Sequence, residues 1–149
     1  RNNGPVTQRE YMLPPGTTLV STTDLQSHIT YCNPAFVETS GFSRDELIGT
    51  ANLVRHPDMP AEAYRDMWAT LQVGQPWTAL VKNRRKNGDH YWVRANVTPV
   101  LEGGRVTGYM SVRTARTGEI EAAEALYATM RTEAAAGRLV HTLQQGDVR

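Results

Sequence analysis

The chain has 149 residues, enough for one domain with its own core, and its 16 Lys+Arg against 15 Asp+Glu leave a formal charge of +1. That balance gives no strong pull toward nucleic acid or an anionic membrane surface. Cys32 is the only cysteine, which excludes an internal disulfide or a cysteine-rich metal site and fits a reducing compartment. No apolar run approaches the roughly 20 residues that span a bilayer, and no signal-peptide pattern is present. The opening RNNGPVTQ reads as the start of a fragment, which leaves a membrane anchor open in the parent protein.

Residues 1–16 are polar and punctuated by Pro5, Pro14, Pro15 and Gly16, so they read as a flexible lead-in. Two short β-rich runs follow, Thr17–Thr22 and His28–Asn33, separated by the turn formers Asp24 and Ser27. A short helix over Pro34–Thr39 stops at Gly41, and Ser43-Arg44-Asp45-Glu46 has the form of a capping box, with a stop at Gly49. After the connector NLVRHPDMP, a longer helix starts at Pro60, where a missing N–H costs nothing. Tyr64, Met67, Trp68 and Leu71 share one face of it, and Gly74 ends it.

From Trp77 the apolar period changes to two. Trp77, Ala79 and Val81 share one face, and Asn87-Gly88 signals a hairpin. Tyr91, Val93, Ala95 and Val97 make the apolar face of the next strand, and Val106, Met110 and Val112 line a third after EGGR. A last helix begins near Thr117 or Gly118, carries Ile120, Ala123, Tyr127 and Met130 as its stripe, and ends at Gly137. Two strands, short helices, a longer helix and three strands predict an α+β domain, with helices on one face of an antiparallel sheet.

Asn83 is the most telling position, because alternation places it on the core-facing side with Trp77, Ala79 and Val81. A primary amide buried without hydrogen bonds costs about 1–3 kcal/mol. It therefore either bonds neighbouring backbone or faces a polar ligand. Trp68 is equally open, as plain core or as a wall beside a planar ligand. Trp92 falls opposite Tyr91 and Val93, on an outer surface suited to a partner.

The connector packs Arg55, His56 and Asp58 among prolines. The four histidines show no metal-ligand spacing, and no nucleophile motif lies nearby. Asp58 is placed to cap the helix that follows, whereas Arg55 could grip a phosphate or carboxylate with its planar fork. Lys82, Arg84, Arg85 and Lys86 read as a solvated edge that guards the hairpin, with a single phosphate contact as the alternative.

Four stretches in series, STTDLQSHITYCN, LVRHPDMP, MWATLQVGQPW and KNRRKNGDHYWVRANVTPV, resemble the sensory PAS domains of bacterial aerotaxis receptors over roughly residues 17–116. Flavin-binding PAS domains of nitrogen-fixation regulators share part of this pattern. The resemblance implies a PAS fold: a five-stranded antiparallel sheet, short helices on one face and a C-terminal amphipathic helix. It divides the chain into a lead-in (1–16), a PAS sensor (17–116) and a helix with linker (117–149).

The resemblance also implies a non-covalent FAD whose redox state is the signal. Trp68 and Asn83 match family positions near the isoalloxazine ring, and Asn33, Arg55, His56 and Asp58 match positions linked to flavin retention. The parent would be an inner-membrane receptor with this domain in the cytoplasm. Its partners would be downstream HAMP and chemotaxis signalling segments, and a PAS homodimer is compatible with that. Light sensing fits poorly, because flavin photoreceptors place an adduct-forming cysteine in the short helix before the connector, and Cys32 lies at the end of a strand. A different reading is a PAS interaction module that binds haem, with His56 as axial candidate, another small ligand or no cofactor. A flavoenzyme lacks an evident acid–base pair.

Overall fold

Five antiparallel strands in the order β2-β1-β5-β4-β3 form the frame of the computed structural model, which describes residues 5–115, 120–135, 143–144 and 147–148. The strands are β1 (Thr18–Thr23), β2 (Ile29–Cys32), β3 (Trp77–Arg84), β4 (His90–Glu102) and β5 (Arg105–Ala115). Between β2 and β3 run α1 (Pro34–Ser40), α2 (Arg44–Leu47) and α3 (Ala61–Gln72); α4 (Ile120–Ala135) follows β5. A two-stranded ribbon, β6 (Leu143–Gln144) with β7 (Asp147–Val148), comes last. The expected α+β architecture is the observed one.

Local chemistry sets most of these boundaries. Asp24 turns the chain between β1 and β2 by accepting from the backbone N–H groups of Gln26 and His28. Asn33 caps α1 by accepting from the Phe36 N–H, and Gly41 ends that helix in the left-handed region at φ 76°. The Ser43–Glu46 capping box is formed in both directions. Pro60 sits at the N-cap of α3, just outside the first helical position, and α3 has no side-chain cap.

Asp58 therefore does not cap α3, contrary to the sequence expectation. Its carboxylate is instead held 2.9 Å from Lys82 Nζ. An ion pair to a buried lysine competes successfully with a cap two residues away, because a buried ammonium needs a nearby anion.

Both faces of β3 are buried. Trp77, Ala79, Val81 and Asn83 face the helices α1–α3. Leu80 and Lys82 face α4, whose Tyr127 hydroxyl donates to the Leu80 carbonyl at 2.7 Å and whose Glu124 lies 3.5 Å from Lys82. Trp92 lies beside Lys82 on this covered face and is buried. Its expected outer-surface partner is thus the chain's own helix. Tyr127 and Met130 are buried as the stripe requires; Thr117, Gly118 and Gly137 lie outside the described residues.

The basic run is not a solvated edge. Lys82 and Arg84 are buried; Arg84 donates to the carbonyls of Arg85 and Lys86, and Arg85 donates to the Thr39 carbonyl. Lys86 pairs with Glu46 across 2.8 Å. The segment expected as a flexible lead-in is tied to the same hairpin. The Thr7 N–H donates to the Gly88 carbonyl, the Tyr11 N–H to the His90 carbonyl and the His90 N–H to the Arg9 carbonyl, and Arg85 stacks over the Tyr11 ring.

Candidate functional site

The apolar side of α3 does not close fully onto the sheet. Ala63, Asp66, Thr70 and Leu71 carry the buried contacts of the helix, and Asp66 anchors it by accepting from Trp77 Nε1 at 2.6 Å. Tyr64, Met67 and Trp68 are left only half-buried, and they wall a cavity of about 300 Å³ between α3, the 51–55 connector and the sheet. Trp68 meets Tyr109 of β5 edge to face at 5.2 Å, and the Arg55 guanidinium lies 3.7 Å from the Tyr64 ring centroid.

The sheet contributes the polar wall. Asn83 Oδ1, Ser111 Oγ and Arg113 Nε all lie on it, and each is buried without a hydrogen-bond partner. The Asn83 amide nitrogen reaches only the Lys82 carbonyl, at 3.5 Å. Native interiors satisfy nearly all such atoms, so this wall offers three polar atoms to a ligand; His56 Nε2 and His90 Nδ1 are likewise unpaired, away from the cavity. The volume stands at the lower end of the range of about 300–1,000 Å³ seen for small-molecule pockets. It suits a ring system, with any longer appendage lying outside.

A family model described as the PAS fold matches residues 29–113. The chain belongs to the PAS family. It is 53% identical to the aerotaxis receptor of Escherichia coli K12 over 95% of this chain and 28% of the receptor. It is 35% identical to the nitrogen fixation regulatory protein of Klebsiella pneumoniae over 63% of this chain and 19% of that protein. The chain thus spans less than a third of the length of these curated relatives. Among solved structures, the dark state of the blue-light photoreceptor Aureochrome1 LOV superposes with a TM-score of 0.62 at 18% identity, covering 76% of this chain and 84% of that one. That likeness is one of fold.

The PAS domain divides the six residues singled out in the sequence. Arg55, Trp68 and Asn83 line the cavity together. Asn33 stands apart as a structural amide: it accepts from Val20 and Phe36 N–H groups and donates to the Thr18 carbonyl. His56 and Asp58 lie on the α4 side of β3. His56 is buried, its Nδ1 accepts from the Asp58 N–H at 3.0 Å, and its ring stands 6.1 Å from His90. Burial, followed by the charge of Lys82, pulls the His56 pKa down to about 4, so the ring is neutral at physiological pH. Asp58 also takes the Arg131 guanidinium on its backbone carbonyl.

Residues that the sequence reading missed are Ser21, Tyr64, Tyr109, Ser111 and Arg113. Val106 and Met110 are partly exposed on the opposite side of β5, so the polar face of that strand turns inward. The available signal was the alternation Tyr109, Ser111, Arg113, which puts three side chains with polar atoms on one face of β5, the face that lines the cavity. Cys32 is buried at the end of β2, outside the cavity lining. Among the described residues no helix is long and apolar enough to cross a membrane, and no His/Cys/Asp/Glu group could hold a metal ion.

Proposed function

We propose that this PAS domain is the redox- and oxygen-sensing module of an energy-taxis receptor and binds FAD non-covalently in the α3–sheet cavity. The observation that carries the reading is the set of three unpaired buried polar atoms, Asn83 Oδ1, Ser111 Oγ and Arg113 Nε, on one wall of a cavity with aromatic sides. The 53% identity to a protein named for aerotaxis supports the choice of signal. When bound, the flavin supplies reversible electron transfer, which the protein tunes and reads.

In this reading Asn83 and Ser111 hydrogen-bond the ring edge, Trp68 and Tyr109 flank it, and Arg55 holds the appendage. Asn33, His56 and Asp58 act through the frame: Asn33 fixes the start of α1, and the other two fix the connector that carries Arg55. Asn83 has a donor and an acceptor end and only one long internal bond, so it is free to reorient when its ligand's donors and acceptors change. The preceding residue, Lys82, holds Asp58 and Glu124 on the opposite face, which places α4 one residue from the cavity. Switching most of the population needs about 5.5 kcal/mol of difference between states, more than one hydrogen bond supplies. Asn83, Ser111 and Arg113 therefore act together.

The cavity lining contains no carboxylate or imidazole, which favours sensing over turnover. His56 faces away from the cavity, so the haem reading loses its axial candidate. The natural partners are downstream HAMP and signalling segments of the same membrane-anchored parent, with the PAS domain in the cytoplasm and a homodimer compatible with it. The test is the absorption spectrum of the purified domain before and after anaerobic dithionite. An oxidised-flavin spectrum that bleaches, with FAD released on denaturation, is expected. A protein that stays colourless after reconstitution with FAD refutes the reading and leaves an interaction module.

A further inference from the structure

We propose that Arg113 sets the charge preference of the cavity, so that the domain holds a flavin ring more tightly once reduction has given it negative charge. The inference rests on the flavin reading above and deepens it by naming the residue that biases the sensor's potential.

The cavity is lined by two arginines, Arg55 and Arg113, and by no Asp, Glu or His. Arg55 is engaged with the Tyr64 ring. Arg113 rises from β5, reaches Ser21 Oγ with one terminal nitrogen at 3.2 Å, and passes 5.3 Å from the Phe36 ring. Its Nε is shut off from solvent and has no partner. The titratable groups that face it are the phenols of Tyr64 and Tyr91. Burial raises both, Tyr91 to about 12, so neither supplies a negative charge near neutral pH. Among the described residues no ion pair includes Arg113.

A cation in this position is costly in the empty domain and keeps its proton. Burial draws its pKa down from the ordinary value, which is the same desolvation seen from the side of the proton. Two electrons from a donor such as dithionite, with one proton taken up, leave a flavin ring with one more negative charge than the oxidised ring. No bond forms or breaks at Arg113; its fixed charge favours the more negative of the two ligand states. A structural arginine that only packs on Phe36 would favour neither.

The experiment titrates flavin-free wild type, R113K, R113Q and R113M with oxidised FAD and, under nitrogen, with FAD kept reduced by excess dithionite. The ratio of the two affinities is the readout, since by a thermodynamic cycle it reports the shift in midpoint potential on binding. In R113Q and R113M the preference for reduced over oxidised FAD should fall by at least about tenfold, equivalent to about 30 mV for a two-electron couple. R113K, which keeps the charge, should stay close to wild type. An unchanged ratio in the two neutral variants overturns the role of Arg113 while leaving the flavin reading intact. So does an equal fall in R113K, which keeps the charge; weaker binding of both forms by the same factor in the neutral variants leaves the ratio unchanged and overturns the role likewise. A wild-type domain that binds neither form overturns the flavin reading and this inference with it.

Discussion

Replacing Asn83 with leucine separates a binding amide from a structural one. The side chain is buried, with 4% of its surface exposed, and its carbonyl oxygen has no partner. An unsatisfied buried polar atom costs about 1–3 kcal/mol, whereas an apolar side chain of similar size avoids that cost and fills part of the cavity. Little is lost in exchange, because the only internal bond of the amide is the 3.5 Å contact to the Lys82 carbonyl. Asn83→Leu should therefore stabilise the flavin-free domain by about 2 kcal/mol. At about 2–4 °C per kcal/mol for a chain of this size, the melting temperature should rise by about 4–8 °C. FAD retention should collapse in the same variant. Thermal denaturation of the flavin-free proteins, followed by far-UV circular dichroism, checks the first half. A fall in melting temperature of several degrees would refute the reasoning, since it would mean that the amide is already satisfied within the fold.

Three further outcomes follow from the same geometry. Asn33→Ala should cost about 1–2 kcal/mol in urea unfolding, as loss of an N-cap does, and should lower FAD retention without shifting the midpoint potential; a shifted potential would place Asn33 at the ring. His56 has a folded pKa of about 4, below its unfolded value of 6.5, so its stabilising effect is fully present above pH 6.5 and is lost as pH falls toward 4. His90, also lowered by burial, acts in the same direction; unfolding midpoints that His56→Gln leaves equally steep across this window would contradict the assignment. Gly88→Ala would set a Cβ 2.6 Å from the Pro5 carbonyl at a φ of +96°, so the variant should release the N-terminal segment, and unchanged hydrogen-exchange protection at Thr7 and Tyr11 would count against that.

The parts legible in the sequence were those governed by local chemistry. The capping box at Ser43 and Glu46 and the glycine stop at Gly41 each depend on residues a few positions apart, whereas the cap that Asn33 makes on α1 was not read. Alternation also placed Asn83 correctly on the inner face, because Trp77, Ala79 and Val81 flank it with one period. What long-range packing decides was not legible. Val106, Met110 and Val112 look like a core face, yet Tyr109, Ser111 and Arg113 turn inward, since an open cavity accepts polar groups that a dry core would exclude. Asp58 looked like a cap until Lys82, 24 positions away, was placed beside it. Trp92 and Lys82 looked exposed because nothing local announces that α4 covers the outer face of β3 and β4, and Arg85 and Lys86 because their partners Thr39 and Glu46 lie far away in the chain. His56, next to Arg55 in sequence, went to the opposite side of β3 for the same reason that adjacent residues of extended chain point apart.

The most direct test of the central claim is the side-chain amide signal of Asn83 in ¹H–¹⁵N correlation spectra of the domain, assigned by its loss in Asn83→Leu. Adding oxidised FAD to the flavin-free protein should shift it, and anaerobic reduction should shift it again, as the unpaired carbonyl of Asn83 gains a ring partner and that partner changes. An Asn83 signal that stays in place through both additions, while FAD is bound, would put the flavin elsewhere and contradict the account.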